Sequence, residues 1–286
     1  MMMPLTATVH PIVSRRFPIR NFQFDWFNVS PFAVACFGVL AALDIPALYG
    51  ALAAATTLGT VRVDVTVIPA AIVVLLVLQQ TPRSSVLTTP RAIAMGIFVG
   101  CTAGAYAVHW SYFHRAADTI GYTLLALKEE AVYRVALPIF IACIGVLLGL
   151  SNRKALLVGL TVSAVVFAVL PGHVAQVHNP GELLVFVCFA AIMSYVIWEG
   201  HYLIAAIFAH AATNLITDSV LRAGVNPLVR TAGSFVILLA LILMIPTAPA
   251  IDEDDDGIVI DLRDQTLARE RARTRRLVVT STSQDE

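Results

Sequence analysis

The stretch KEEAVYRVALPIF, from Lys128 to Phe140, places two adjacent glutamates and an arginine inside an otherwise apolar segment. A charge at the centre of a membrane span costs about 3 kcal/mol, so such residues usually face a bundle interior or a water-filled cavity. Glu129, Glu130 and Arg134 therefore need partners within the protein if this segment crosses a membrane.

The composition of the chain indicates that a lipid bilayer surrounds it. Of its 286 residues, 58% are hydrophobic and only 13% are charged, whereas soluble domains carry about 25% charged residues. A soluble core would not hide this much apolar surface. The net charge is zero, which argues against nucleic acid as a partner.

Eight apolar segments are candidate membrane helices, since a spanning helix needs about 20 residues. They lie at about 32–55, 64–80, 92–113, 122–150, 155–171, 181–198, 201–220 and 229–248. Polar and helix-breaking residues separate them. The sequence therefore predicts an all-α polytopic membrane protein with about eight transmembrane helices, within a transmembrane domain at 31–248.

The two ends of the chain differ in character from the apolar region. Residues 1–30 contain three arginines, and residues 249–286 form a tail with an acidic half followed by a basic half. With an even number of spans, placing both ends in the cytoplasm puts most Lys and Arg on the cytoplasmic side. We therefore expect an integral protein of a bacterial plasma membrane, with cytoplasmic termini and a partly disordered tail.

Helical geometry separates the two glutamates. Glu130 and Arg134 are four residues apart, so they lie on one helix face and can pair. Glu129 lies about 100° round the helix from Glu130, away from Arg134. A carboxylate without a permanent cation in a dry cavity is a candidate base for taking a proton from water. Alternatively, all three side chains form a structural charge cluster that holds helices together.

Two further segments carry polar side chains that can lie near these glutamates in the membrane. The run IFAHAATNLI places His210 and Asn214 four residues apart on one helix face. Both can donate hydrogen bonds, either to an oxyanion during peptide-bond hydrolysis or to a neighbouring helix. His173 follows the fifth segment, in FAVLPGHVAQVH. The count of spans puts it on the same membrane side as Glu129, so the two residues can meet.

The order of these motifs resembles that of a known family. EEAVYR, from Glu129 to Arg134, matches EExxxR, and HAATN, from His210 to Asn214, matches HxxxN. On these segments they resemble the CAAX-protease and bacteriocin-processing family of intramembrane glutamic proteases, over roughly residues 119–220. The family's middle motif is FxxxH, and here this motif is irregular.

The irregularity concerns the residues before His173. Val169 stands four residues before it, and Phe167 stands six before it. Either Pro171 and Gly172 are an insertion, or Val169 replaces the aromatic residue.

The resemblance implies a division of labour. Glu129 is the base that activates water, His173 helps hold that water, and His210 with Asn214 stabilises the tetrahedral oxyanion. Glu130 and Arg134 do not react themselves: they hold the catalytic residues in position or stabilise the fold. The implied substrate is a peptide or protein at the membrane, lipidated or membrane-associated, because relatives cleave prenylated proteins or process bacteriocin-type peptides. The scheme uses neither metal nor cofactor.

Two alternatives stay open. A zinc protease is one, because Glu and His are competent zinc ligands and an open three-ligand site also activates water. The chain has no HExxH motif, and Asn is a poor zinc ligand. The other is a non-catalytic scaffold, or a transporter, that keeps a degenerate protease core. A transporter predicts internal repeats, which the sequence lacks.

The remaining polar and small residues are interpreted structurally. An interfacial belt is predicted at the end of the third segment, formed by Tyr106, His109, Trp110 and His114. In the same segment, glycine at every fourth position of 96–104 predicts a stripe that lets another helix approach closely.

Overall fold

The structure, a computed structural model, describes residues 22–24, 27–48, 56–80, 89–175, 177 and 180–245. The chain divides into two units, Met1–Ile245 and Pro246–Glu286, and the second lies outside the described residues. The predicted tail at 249–286, and most of the predicted segment at 1–30, therefore lie outside them too.

The described residues are mostly helical, which confirms the all-α prediction. The helices are α1 (Pro31–Leu48), α2 (Val67–Gln80), α3 (Thr89–Phe113), α4 (Ala116–Glu130), a π-helical segment (Ala131–Ala136), α5 (Leu137–Leu147), α6 (Asn152–Ala168), α7 (Pro171–Val174), α8 (Pro180–Trp198), α9 (Leu203–Ala223) and α10 (Pro227–Met244). Each of the eight predicted apolar segments overlaps helix over most of its described residues.

Four helices in the described part of the chain are long and apolar enough to cross a membrane. They are Thr89–Phe113, the continuous run Ala116–Leu147, Pro180–Trp198 and Leu203–Ala223. Three shorter apolar helices are Pro31–Asp44, Val67–Gln79 and Leu228–Met244. These lengths and compositions are those of an integral membrane protein.

Two short antiparallel hairpins, which the sequence did not predict, precede α1 and α2. The first pairs β1 (Phe22–Phe24) with β2 (Phe27–Val29), and the second pairs β3 (Thr56–Leu58) with β4 (Val61–Val63). In the second hairpin Gly59 turns the chain with φ of 62°, a conformation that glycine adopts without steric cost. The turn lies against the start of α4, where Thr60 bonds to Asp118.

The π-helical segment has a local cause in Pro138. A proline has no N–H to donate to the carbonyl four residues earlier, and its ring clashes with that carbonyl. The carbonyl concerned belongs to Arg134, inside the wide turn Ala131–Ala136. Trp198 supplies the missing donor, since its Nε1–H donates to the Arg134 oxygen over 2.7 Å. The loss of this backbone hydrogen bond is tolerated because Trp198 of α8 bonds the released carbonyl group.

Close helix contact occurs between α5 and α6, and not at the predicted glycine stripe. Gly159 of α6 lies directly against the backbone of Pro138, so a methyl group there would overlap the Pro138 carbonyl. At Gly96, Gly100 and Gly104, by contrast, an added methyl group would meet no described atom within 4 Å. The prediction that this stripe packs against another helix is therefore wrong for the described part of the chain.

This contrast predicts opposite effects of a single methyl group. Gly159→Ala should lower the free energy of unfolding by about 1–3 kcal/mol. The added methyl group would meet the Pro138 carbonyl, a backbone group that cannot rotate away. The matched control Gly104→Ala should be neutral or gain up to about 1 kcal/mol from helix propensity. Thermal unfolding of the detergent-purified variants measures both changes, and equal stability of the two would contradict the packing described here.

Candidate functional site

The candidate site forms where α4 ends against the middle of α9. The imidazole of His210 lies between the two adjacent carboxylates. Its Nδ1 is 2.7 Å from Glu130 Oε1, and its Nε2 is 3.4 Å from Glu129 Oε2. Glu130 is fully buried, and Glu129 is 7% exposed. Two motifs that lie 80 residues apart therefore meet in one cluster.

Arg134 distinguishes the two glutamates, as the helical spacing predicted. Its Nε lies 3.7 Å from Glu130 Oε2, and both side chains are fully buried. The guanidinium also stacks 4.0 Å above the ring of Phe167, a cation–π contact that is stronger where water is excluded. Glu129 has no lysine or arginine within 4.0 Å among the described residues, so its nearest charged or chargeable partner there is His210.

His173 reaches the site through a change of chain direction after α6. Its Nδ1–H donates to the carbonyl oxygen of Phe167 over 2.6 Å, and its ring lies 4.3 Å from that of Phe167. Phe167 is 1% exposed, whereas Val169 is 53% exposed. Of the two residues considered before His173, Phe167 is therefore the one in ring contact with it.

The electrostatics of His173 suit a neutral imidazole. Burial lowers the pKa of His173, and the opposing influence of the Glu129 charge does not restore it. Since Nδ1 carries the proton donated to Phe167, Nε2 keeps a lone pair that can accept a hydrogen bond. No ion pair or hydrogen bond joins His173 to Glu129 in the structure, so the predicted meeting of the two residues stays a prediction.

Phe167 is the side chain that links the parts of the site. Besides Arg134 and His173, its ring contacts Tyr133 at 5.8 Å and His210 at 6.0 Å between centroids. The aromatic ring thus fixes the relative positions of α6, α9 and the π-helical segment around the two glutamates.

Asn214 lies one turn beyond His210 on α9. It is half-buried and makes no hydrogen bond or ion pair with another described residue. The structure therefore brings Glu129, Glu130, Arg134 and His210 into contact, adds His173 through Phe167, and leaves the Asn214 amide unengaged nearby.

The position of His210 bears on its expected role. Both ring nitrogens face carboxylate oxygens, so neither N–H is directed at a separate oxyanion in this arrangement. Of the pair expected to bind an oxyanion, Asn214 is the one whose donors are available.

A second buried charge network, which sequence reasoning missed, surrounds Lys128, the residue before Glu129. Lys128 Nζ is 3.1 Å from Asp44 Oδ1 and 3.0 Å from Asp64 Oδ2. The Tyr133 hydroxyl donates to Asp44 over 2.5 Å, and the Thr66 hydroxyl donates to Asp44 over 3.0 Å. The signal was present in the sequence: Asp44 and Lys128 interrupt apolar runs, so each required a partner.

Asp64 shows how this network is stabilised outside the membrane helices. Burial disfavours its charged form, yet hydrogen bonds from Thr66 and the charge of Lys128 outweigh that cost and hold the pKa of Asp64 below its usual value. Asp64 is thus a carboxylate at neutral pH, and Lys128 is engaged there and not with Glu129.

A third cluster corrects the interpretation of His109. His109 is fully buried, and its Nε2 lies 3.3 Å from Asp218 Oδ2. The Tyr122 hydroxyl and Arg222 Nε donate to Asp218 Oδ1 over 2.8 and 2.6 Å. The interfacial-belt prediction is therefore wrong for His109, although Trp110 in the same belt is 48% exposed.

No family model, no curated protein and no solved structure matches this chain. Within the described residues, no group of three or more His, Cys, Asp or Glu side chains is placed to hold a metal ion. The resemblance to the glutamic proteases therefore rests on the motifs, and the geometry above is independent of it.

The burial of Arg134 makes a testable prediction about stability. Arg134→Met should cost about 3–5 kcal/mol, because Glu130 would keep its charge in a buried site without the guanidinium. Arg153→Met, at an exposed position at the start of α6, is the matched control and should change little. Thermal unfolding in detergent measures both. Adding Glu130→Gln to Arg134→Met should recover part of the loss, and equal stability of the two arginine variants would show that the buried pair contributes nothing.

Proposed function

We propose that this chain is an intramembrane peptidase in which Glu129 activates water to hydrolyse a peptide bond of a membrane-associated or lipidated substrate. One observation carries the proposal: Glu129 is a buried carboxylate whose adjacent partner is an imidazole, while its neighbour Glu130 takes the guanidinium. A carboxylate in that situation can accept a proton, because no permanent cation fixes its charge.

The proposed reaction uses the side chains as follows. Glu129 takes one proton from water, and the resulting hydroxide adds to the substrate carbonyl carbon. His173 accepts a hydrogen bond from the same water through Nε2, which orients it. The Asn214 amide donates to the oxyanion of the tetrahedral intermediate. Glu129 then returns the proton to the leaving nitrogen as the C–N bond breaks.

His210 has a different part in this proposal from the one that the family resemblance implies. The hydrogen bond between its Nδ1 and Glu130 holds the ring so that Nε2 lies 3.4 Å from Glu129 Oε2, and in this position it keeps the Glu129 carboxylate oriented while that group gains and loses a proton. Fixing the orientation of a catalytic group by a neighbouring hydrogen bond is a general way to support acid–base chemistry.

The membrane arrangement is part of the same proposal. Four helices have the length and composition of spans, and three shorter apolar helices and α6 bring the number to eight. With eight spans, both termini lie in the cytoplasm of a bacterium and the catalytic cluster lies within the bilayer.

The experiment that tests the function measures whether an oxygen atom from water enters the cleaved product. Purified protein in proteoliposomes is incubated with a library of membrane-anchored peptides in H₂¹⁸O, and mass spectrometry identifies products whose new carboxyl group carries ¹⁸O. Glu129→Gln should lower the rate by at least about 100-fold, since it removes the base, without lowering thermal stability. Glu199→Gln, an exposed glutamate after α8, is the matched control and should retain full activity.

Two results would count against the proposal. Full turnover by Glu129→Gln would show that another group is the base. Inhibition of the wild-type protein by a strong chelator, reversed by zinc, would favour the metal-dependent alternative. A carboxylate–imidazole–carboxylate cluster also suits a proton-coupled carrier, and the absence of any ¹⁸O-labelled product would favour that alternative.

Asn214 provides a separate prediction about the transition state. Asn214→Ala should lower kcat by about 100- to 1,000-fold with little change in KM, because its amide is needed where negative charge develops. Thr213→Val is the matched control, since the Thr213 hydroxyl donates only to Ala209 of its own helix. Steady-state kinetics on a cleaved peptide measure both, and an equal kcat for the two variants would remove Asn214 from the oxyanion site.

A further inference from the structure

Polar contacts between α4 and α9 recur in a regular antiparallel register. Glu130 meets His210 at 2.7 Å, and Tyr122 meets Asp218 at 2.8 Å. Tyr122 lies eight residues before Glu130, and Asp218 lies eight residues after His210. Because a helix rises 1.5 Å per residue, these two polar layers are about 12 Å apart.

The layer halfway between them lacks a polar partner. The same register places Asn214 opposite Ala126, which is fully buried. Alanine leaves the half-buried Asn214 amide without a bonding group across the interface. Thr217, also half-buried, lies on the same side of α9, and its hydroxyl donates only to Thr213 of its own helix, over 2.8 Å. Two polar side chains thus lie between two polar layers with bonding capacity unused.

The second layer connects this interior to the protein surface. Asp218 binds Arg222, whose side chain is 38% exposed, and Arg222 Nη2 donates to the Thr60 hydroxyl over 3.0 Å. Thr60 in turn donates twice to Asp118 at the start of α4. Bonded polar groups therefore follow one another from the exposed end of α9 inward as far as Asp218, and the half-buried Thr217 and Asn214 lie between Asp218 and the level of His210 on α9.

We propose that the α4–α9 interface holds a file of water molecules that runs from Asp218 past Thr217 and Asn214 to Glu129. A polar side chain without a partner is costly away from bulk water, and water is stable in a protein interior where two to four polar groups surround it. The inference rests on the proposed function for its purpose, since each peptide bond hydrolysed consumes one water molecule that the lipid does not supply.

Thiol accessibility tests the path without any substrate. Single cysteines are introduced at Asn214 and Thr217 in a background lacking Cys36, Cys101, Cys143 and Cys188, and the protein is held in lipid nanodiscs. The probe is a trimethylammonium methanethiosulfonate, a charged reagent that reacts with the hydrated thiolate. Ser151→Cys, in the exposed turn before α6, is the positive control. Val99→Cys, 57% exposed on α3, is the lipid-facing negative control.

The path predicts that both test positions react at rates within about tenfold of Ser151→Cys, whereas Val99→Cys reacts at least about 100-fold more slowly because its thiol does not ionise in lipid. Rates for both test positions as low as that of Val99→Cys would overturn the proposal. Thr217→Cys replaces a hydroxyl by a thiol of similar size, so it decides the question even if Asn214→Cys does not fold.

The two proposals fail in different ways. Unreactive thiols in a protein that still hydrolyses peptides would remove the water path and leave the peptidase. Reactive thiols in a protein that releases no ¹⁸O-labelled product would leave a hydrated path and remove the peptidase.

Discussion

The fold depends on the cost of burying ionised groups where lipid offers no compensating hydrogen bonds. Arg134 is the clearest case, because its charge, its flat face and its carbonyl each engage a different part of the protein. Its charge pairs with Glu130, its face stacks on Phe167, and its carbonyl accepts from Trp198. These three contacts bring α4, α6 and α8 together around one side chain, and Glu130 then adds α9 through His210. The guanidinium nitrogens make no hydrogen bond with the described residues, so the ion pair and the stacking compensate its burial.

Local sequence determined the helices, and the spacing within them determined the faces that carry charge. Each apolar run became a helix because burial of its own side chains in an apolar surrounding decides that outcome, and the four-residue spacing of Glu130 and Arg134 was enough to predict their pairing. The sequence did not show which helices and strands would be neighbours. The bonds from Lys128 to Asp44 and Asp64, and from His109 to Asp218, each join residues far apart in the chain.

The positions where regular helix is interrupted were also not predicted from the sequence. The π-helical segment follows from Pro138, but its stability depends on a donor from Trp198, 60 residues further along the chain. The contact between Phe167 and His173 depends on the chain ending α6 at Ala168 and turning back through α7. Residues four apart lie on one face only while the helix continues. Because the chain turns after Ala168, Phe167 and His173 are in contact although they are six residues apart.

The charges around His210 explain why one glutamate differs from its neighbour. Glu130 lies 3.7 Å from a permanent cation, the Arg134 guanidinium. The charged or chargeable group nearest to Glu129 among the described residues is instead the His210 imidazole, at 3.4 Å. A guanidinium cannot be deprotonated in a protein, whereas an imidazole also exists as a neutral group. The two adjacent glutamates therefore differ in the kind of partner they have, and the proposed role of Glu129 as a base depends on that difference.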